Sequence, residues 1–369
     1  MVPVRLAFPK VNRDLVVVGL LIAASATALG IIYQSLPDVP GGGISILQFL
    51  INGVVVGSIY ILGATGLSLI FGIRKFANFA HGEMMTFGAY MAFLVNTIFL
   101  LDILWGFLFA IVATAMVGII LELLVFRKLA GRGPVSALVA SIGVTIFMNN
   151  LINGTFGTSI NVYNLQVAVS LVLYTVDGFP VLTINPLKGL ATLAVSSVLV
   201  VFLHVLLSRT TLGKAMRATS DNAELARASG INTGHVIMWT WAISGALAAV
   251  AGVLLGIVLD VRPALGFNVL LFVFAAVIVG GIGSPYGAML GGLIVGVAQE
   301  LSVAFLAWLG RPEVIGLERA TAYKPLAAFA IMILVLLVRP GGLAAGKRFA
   351  LGTHAGFRRR VRTRGVRGR

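Results

Sequence analysis

"PALGFNVLLFVFAAVIVGGIGSPYGAMLGGLIVGVAQ", Pro263 to Gln299, runs for 37 residues without a single Asp, Glu, Lys, Arg or His. A helix needs roughly 20 apolar residues to cross a bilayer, so this stretch is too long for one crossing. It fits two spans broken at "GGIGSPYG", Gly280 to Gly287. Four glycines, a serine and a proline do not continue a regular helix. Backbone that breaks at membrane depth must be satisfied by protein or by a water-filled cavity, and transporters place substrate sites at such breaks. Gly280, Gly281, Gly283 and Ser284 are therefore candidates for lining or gating a pathway.

The rest of the chain agrees with lipid as the solvent. It is 59% hydrophobic and 11% charged, with mean hydropathy +1.04, where soluble domains carry about 25% charged residues. Charge-poor runs place further spans at Leu15–Pro37, Ile46–Ile73, Met84–Leu101, Ile103–Phe126, Pro134–Ile152, Leu190–Leu207, Val236–Leu259 and Ala320–Val338. This gives an all-α polytopic membrane protein of about 8–10 transmembrane helices, some discontinuous. The domain reading is an N-terminal segment 1–14, a transmembrane domain 15–338 and a basic tail 339–369. Arg5, Lys10, Arg13 and an "ASA" at Ala24–Ala26 also resemble a signal peptide, but the apolar run continues to Leu36, which favours a retained span.

Lys and Arg orient the helices. With the N-terminus in the cytoplasm, 22 of the 27 fall in inside segments; without the tail the ratio is 12 to 5. Both termini are then cytoplasmic. The net charge of +15 lies mostly in these loops and in "FRRRVRTRGVRGR", a tail suited to anionic lipid rather than to nucleic acid. There is no cysteine, and the four histidines show no metal-ligand spacing, so neither a disulfide scaffold nor a metal or cofactor site is expected.

Polar residues within such a chain invite explanation. Asn78, His81, Gly82 and Glu83 follow Arg74-Lys75, which places them at or just inside the cytoplasmic surface. They either cap the next helix, with Glu83 favoured by its dipole, or form a gate. Two interruptions, here and at Gly283, suggest two related halves around one pathway. Glu300 is the acid deepest within a span, a functional candidate by default or one half of a structural pair. Glu122, near the inner end of its helix, is expected to snorkel. Glycine pairs such as Gly53/Gly57 and Gly292/Gly296 allow close helix packing.

Two loops stand out. In the inner loop 209–235, Asp221 and Glu224 form a capping-box-like start and Gly230 a stop. Between them is a short helix bearing Glu224 and Arg227, with Arg217 upstream. It is either a solvated connector or a helix that docks on a cytoplasmic partner. The outer loop 153–189 contains "LQVAVSLVLYTVDGFPVL", read as a β-hairpin turning at Asp177-Gly178, and the Asn153-Gly154-Thr155 sequon reads as a turn.

The stretch Asn52–Tyr90, with Asn78-Phe79-Ala80-His81-Gly82-Glu83 at its centre, closely resembles the signature region of the branched-chain amino-acid permeases of ABC importers. "GKAMRATSDNAELARASGINTGHVIMWTWAISGALAAVAGVLLG", "VIVGGIGSPYGAMLGGLIVG" and Ile333–Gly342 resemble three further family segments, in order. The resemblance implies a non-enzymatic pore subunit, half of a heterodimer with a second permease. Its implied partners are two ATP-binding subunits and an extracytoplasmic substrate-binding protein. It also implies that Arg217, Asp221, Glu224, Arg227 and Gly230 couple to the ATPase. The sequence contains no GxxxxGK[ST] loop, which fits hydrolysis on another chain. Related permeases serve urea and amides, so those substrates stay open. So does a proton-coupled secondary transporter built on Glu300. A membrane enzyme using His81 and Glu83 would lack a nucleophile, a metal set and a cofactor motif.

Overall fold

The structure, a computed structural model, describes residues 42–166, 168–176, 179–309, 320–339 and 341–343. The expected first span at Leu15–Pro37, the signal-peptide reading, the hairpin turn at Asp177-Gly178 and the basic tail lie outside the described residues. Among the described residues, six helical stretches are long and apolar enough to cross a membrane: Ile46–Arg74, Ile103–Leu129, Pro134–Phe156, Pro186–Arg209, Thr233–Val258 and Pro285–Ala307. Each corresponds to an expected span. Two shorter apolar helices, Leu265–Gly280 and Lys324–Val338, add to them.

In chain order the helices are α1 (Gly42–Arg74), α2 (Ala80–Phe93, prolonged by a π-helical turn Leu94–Ile98) and α3 (Ile103–Leu121, prolonged by a π-helical turn Glu122–Phe126). Next come α4 (Pro134–Phe156), a hairpin of β1 (Leu171–Val176) and β2 (Phe179–Ile184), and α5 (Thr192–Arg209). Then follow α6 (Thr211–Asp221), α7 (Ala223–Ala228), α8 (Thr233–Val258), α9 (Leu265–Gly280), α10 (Pro285–Leu309) and α11 (Lys324–Val338). The expected outer hairpin is present and antiparallel. Asn153, read as a turn, instead lies in the last turn of α4.

The helices sort by burial. α1 and α8 are buried along most of their length, whereas α3, α4 and the α5 stretch turn mostly apolar side chains outward. This is what lipid as solvent permits, because no hydrophobic force drives those faces inward. The inner helices approach through small residues. A Cβ on Gly296 would sit 2.2 Å from Gly57 Cα, and one on Gly53 would sit 2.7 Å from Val297 Cα, so α1 and α10 cross at backbone contact.

The two ends of the bundle differ. One end gathers Arg74, Lys75, the 127–134 connection, α6, α7 and the 281–284 turn; we call it the basic end. The far end carries the hairpin, Asp260, Arg262, Lys188 and the Glu300–Lys324 pair. Glu122, expected to snorkel, is instead 2% exposed and ion-paired with Arg74. Its π-helical turn faces the end of α1, where an arginine meets it before water does.

Candidate functional site

Asn78, His81 and Glu83 do not lie at the membrane surface. α1 ends at Arg74; Lys75 N still donates to the Phe71 carbonyl at 2.9 Å, but its φ of 59° turns the chain, and Phe79 is back in helical conformation at the start of α2. The His81 ring Nε2 donates to the Gly63 carbonyl at 2.9 Å. Gly63 precedes Arg74 by eleven residues, about 16 Å of helix axis, which places the ring well inside the bundle. The adjacency of these residues to Arg74-Lys75 in sequence is misleading because the chain turns at Lys75 and re-enters the bundle.

The backbone of this segment is satisfied locally. Phe79 N donates to Ser141 Oγ at 3.1 Å and Ala80 N to Asn78 Oδ1 at 3.2 Å; the N-cap itself is Phe79, so Asn78 serves the first N–H of α2 from one residue outside the cap. Glu83 is in the first turn of α2, 1% exposed, and accepts from Asn149 Nδ2 at 3.4 Å. The same amide donates to the Pro263 carbonyl at 2.9 Å. Gly82 lies against α9, with Gly266 at backbone contact. Asn78, His81, Gly82 and Glu83 therefore form one buried polar cluster among α1, α2, α4 and α9. Asn78 Nδ2, His81 Nδ1 and Glu83 Oε2 have no hydrogen-bond partner among the described residues.

The break at Gly280–Ser284 lies elsewhere. It is a turn at the basic end joining α9 to α10, not an interruption at membrane depth. Gly281 and Gly283 have φ of 113° and 80°, which only glycine adopts without strain. Ser284 Oγ accepts from Gly287 N at 3.1 Å, capping α10, and Pro285 follows in its first turn. Gly280 permits the two legs of the turn to touch, since a Cβ there would sit 2.0 Å from the Gly287 carbonyl oxygen. Gly283, Ser284, Arg217 and Asp221 meet around a small cavity of about 260 Å³ beside Ser68 and Gly72. The structure thus joins two of the nine expected pathway residues to two of the five expected coupling residues.

The loop 209–235 folds as two helices rather than one. Asp221 ends α6; the N-cap of α7 is Asn222, whose Oδ1 accepts from Glu224 N and Leu225 N at 3.0 and 2.9 Å. The expected capping box is therefore displaced by one residue, because Asp221 still completes the helical turns of α6. Gly230 does stop α7, with φ 85°. Arg217, Asp221, Glu224, Arg227 and Leu225 are all exposed. α6 is tied to α1: Ser220 Oγ donates to the Gly72 carbonyl at 2.8 Å and Lys75 Nζ to the Ser220 carbonyl at 3.1 Å. Burial draws the Lys75 amine below its ordinary value, against a smaller opposing pull from Asp221.

Glu300 stands apart from both groups. It is at the far end, paired with Lys324, in the wall of a cavity of about 570 Å³ between α1, the β2 strand, α9, α10 and α11. Asn52 and Asn268 share its rim; Ile59, Tyr60, Val269 and Phe272 form its apolar floor. Tyr60 and Phe272 stack with centroids 5.7 Å apart, and the Tyr60 hydroxyl donates to Gln299 Oε1 at 2.7 Å. Apart from Glu300, these residues gave no sequence signal. Asn52 and Asn268 are single amides in long apolar runs, and their convergence depends on tertiary packing.

A cavity open at one end of a polytopic bundle, a polar cluster at mid-depth and an exposed helical loop at the other end describe a membrane permease. A family profile described as "Branched-chain amino acid transport system / permease component" matches residues 49–336. The branched-chain amino acid permease protein LivH of Salmonella typhimurium is 36% identical over 80% of this chain and 94% of its own length. BraD of Pseudomonas aeruginosa is also 36% identical, over 80% and 95%. A probable LivH of Methanocaldococcus jannaschii is 28% identical over 80% and 91%. The chain belongs to the family of branched-chain amino acid transport system permease components.

Proposed function

We propose that this chain forms half of the translocation pathway of an ATP-driven importer for branched-chain or related amino acids. The observation that carries the reading is that one helix, α1, borders both functional ends. Asn52–Tyr60 line the far-end cavity, and Gly72–Lys75 hold α6 at the basic end. A push on α6 and α7 thereby reaches the cavity wall through a single rigid element. In this reading a second permease subunit completes the pathway. Two ATP-binding subunits engage α7 through Glu224, Arg227 and the exposed Leu225, and an extracytoplasmic binding protein delivers substrate to the far end. Hydrolysis is on the partner chains. The transmembrane domain is 15–338, with the loop 209–235 and both termini cytoplasmic, the hairpin loop 153–189 outside, and the tail 339–369 against lipid. Gly280–Ser284 and the Asn78–Glu83 cluster act as pathway or gating elements, and Glu300 as a pathway residue.

Two experiments test this. Gly230→Val forces a β-branched residue into a left-handed conformation at a cost of about 1–2 kcal/mol. Space is not the obstacle there. The strain misdirects α7 without disturbing the bundle, and Glu224→Lys reverses a contact charge. Each variant should insert normally, while leucine uptake and co-purification of the ATPase fall roughly tenfold, the factor that 1.4 kcal/mol makes. Full uptake and ATPase recovery in both would make the loop a passive connector. Separately, Asp221→Cys should react with impermeant maleimide only from the cytoplasmic side, since the chain has no native cysteine. Labelling in intact cells would invert the topology.

A further inference from the structure

The far-end cavity is built for a particular chemical shape. Its volume of about 570 Å³ falls in the range of small-molecule sites, roughly 300–1,000 Å³. Along α1 it extends from Gln48 to Tyr60, twelve residues or about 18 Å of axis. The upper wall holds opposite charges side by side: the Glu300 carboxylate and the Lys324 ammonium are paired, with side chains 11% and 30% exposed. Asn52 and Asn268, both exposed to the opening, add neutral amides on the facing helices. The floor is apolar and includes the Tyr60–Phe272 stack, backed by Phe329, whose ring lies 6.4 Å from that of Phe272.

We propose that this cavity is a binding site within the permease itself for the intact α-amino acid, its charged end at Glu300–Lys324 and its side chain on the Phe272 floor. The inference rests on the importer reading above. A zwitterion carries an ammonium and a carboxylate a few ångströms apart, and an ion pair of the same spacing is its complement: the ligand ammonium meets Glu300 and the ligand carboxylate meets Lys324. The exchange leaves no charge unpaired, which keeps the desolvation cost low in a site recessed into the bundle. The amides of Asn52 and Asn268 complete the hydrogen bonding of the ligand carboxylate. Ile59, Val269 and Phe272 offer an aliphatic side chain a dry surface. A urea or short-amide ligand would use the amides and leave both the ion pair and the floor without a role.

The full-length chain, purified with the subunits that accompany it and placed in nanodiscs free of binding protein, is titrated with tritiated leucine. Saturable binding is expected. Isocaproate, which lacks the ammonium, and leucinamide, which lacks the carboxylate, should each compete about tenfold less well than leucine, as loss of one charged hydrogen bond predicts. Lys324→Met should weaken leucine binding by a similar factor. Asn268→Leu, which leaves the ion pair intact and lies on an exposed position, should weaken it severalfold, which covers the case in which Lys324→Met fails to fold. Phe272→Ala should lower leucine affinity and raise the preference for phenylalanine over leucine. Absence of saturable leucine binding, in a preparation that still imports leucine from its binding protein, would overturn the site while leaving the importer reading intact. Failure of leucine import in proteoliposomes made from the same preparation and supplied with binding protein would overturn the importer reading first. Competition by acetamide or urea as strong as that by leucine would replace the zwitterion with an amide ligand.

Discussion

Arg74→Met is expected to lower stability by about 3–5 kcal/mol, the cost of leaving one partner of a buried ion pair behind. Glu122 is 2% exposed and Arg74 15%, so water cannot take over from the missing guanidinium. The pair is two-pronged: Nη2 faces Oε1, and Nε donates to Oε2 at 3.2 Å. Around it are Phe76 and Phe126, stacked 5.0 Å apart, and Phe126 in turn stacks on Trp241 of α8 at 4.9 Å. The pair thus closes the basic end of three helices, α1, α3 and α8. A double variant, Arg74→Met with Glu122→Leu, removes both charges and should recover most of the loss, since apolar groups of similar size often replace a buried pair at little cost. Thermal unfolding of the detergent-solubilised protein, followed by size-exclusion recovery after heating, distinguishes the three proteins. Equal recovery for Arg74→Met and wild type would mean that the pair contributes nothing. A double variant no better than the single would assign the loss to packing rather than to charge.

Gly266→Val should disrupt the centre of the bundle. A Cβ at Gly266 would sit 1.8 Å from the Gly82 carbonyl oxygen. That neighbour is backbone, so no rotamer change relieves the overlap, and α9 must move away from α2. Overpacking of this kind costs roughly 1–3 kcal/mol or more. The displacement also breaks the bond from Gly266 N to Thr86 Oγ1, now 2.9 Å, and draws the Pro263 carbonyl away from Asn149, which also serves Glu83. We expect little monodisperse protein and uptake near background. A milder test, Gly82→Ala, meets the Gly266 carbonyl at 2.9 Å and should give assembled protein with reduced uptake. Wild-type yield and uptake from Gly266→Val would show that the α2–α9 contact is looser than described.

Hydropathy located most of the bundle because spans are long and ionisable groups are rare in them. Ile46–Ile73 and Pro134–Ile152, for example, match the observed helices to within a few residues. Depth was not legible. The segment after Arg74-Lys75 looks like any short loop beside two cations, and only the reversal at Lys75 carries Asn78, His81 and Glu83 inward. The Gly283 break was legible as a break, but helix-stopping residues look alike at mid-membrane and at a surface turn. Glu300 was legible as an isolated acid; Tyr60, Asn52 and Asn268 were not, since inner helices that are apolar all round show no periodic face from which to read a lining. Asn222, rather than Asp221, caps α7 because the preceding helix consumes Asp221, a choice that residue preferences alone do not make.

The position of α2 also bears on how the protein is made. Ala80–Ile98 is not among the described helices apolar enough to cross a membrane by composition. His81 and Glu83 lie in its first turn, and a charged side chain such as a carboxylate at the centre of a bilayer carries a penalty of about 2.5–3.5 kcal/mol on insertion scales. Its first polar partner, the Gly63 carbonyl, is already synthesised when α2 leaves the ribosome. Asn149 and Pro263 follow 66 and 180 residues after Glu83. At 5–20 residues per second the last of them arrives roughly 10–40 s later. During that interval α2 has no reason to partition into lipid on its own. It is expected to wait at the insertion machinery, or to cling to α1, until α4 and α9 emerge to receive it. In a nascent chain truncated before Pro263, a cysteine introduced into α2 should therefore react with a water-soluble maleimide while one introduced into the middle of α1 stays protected.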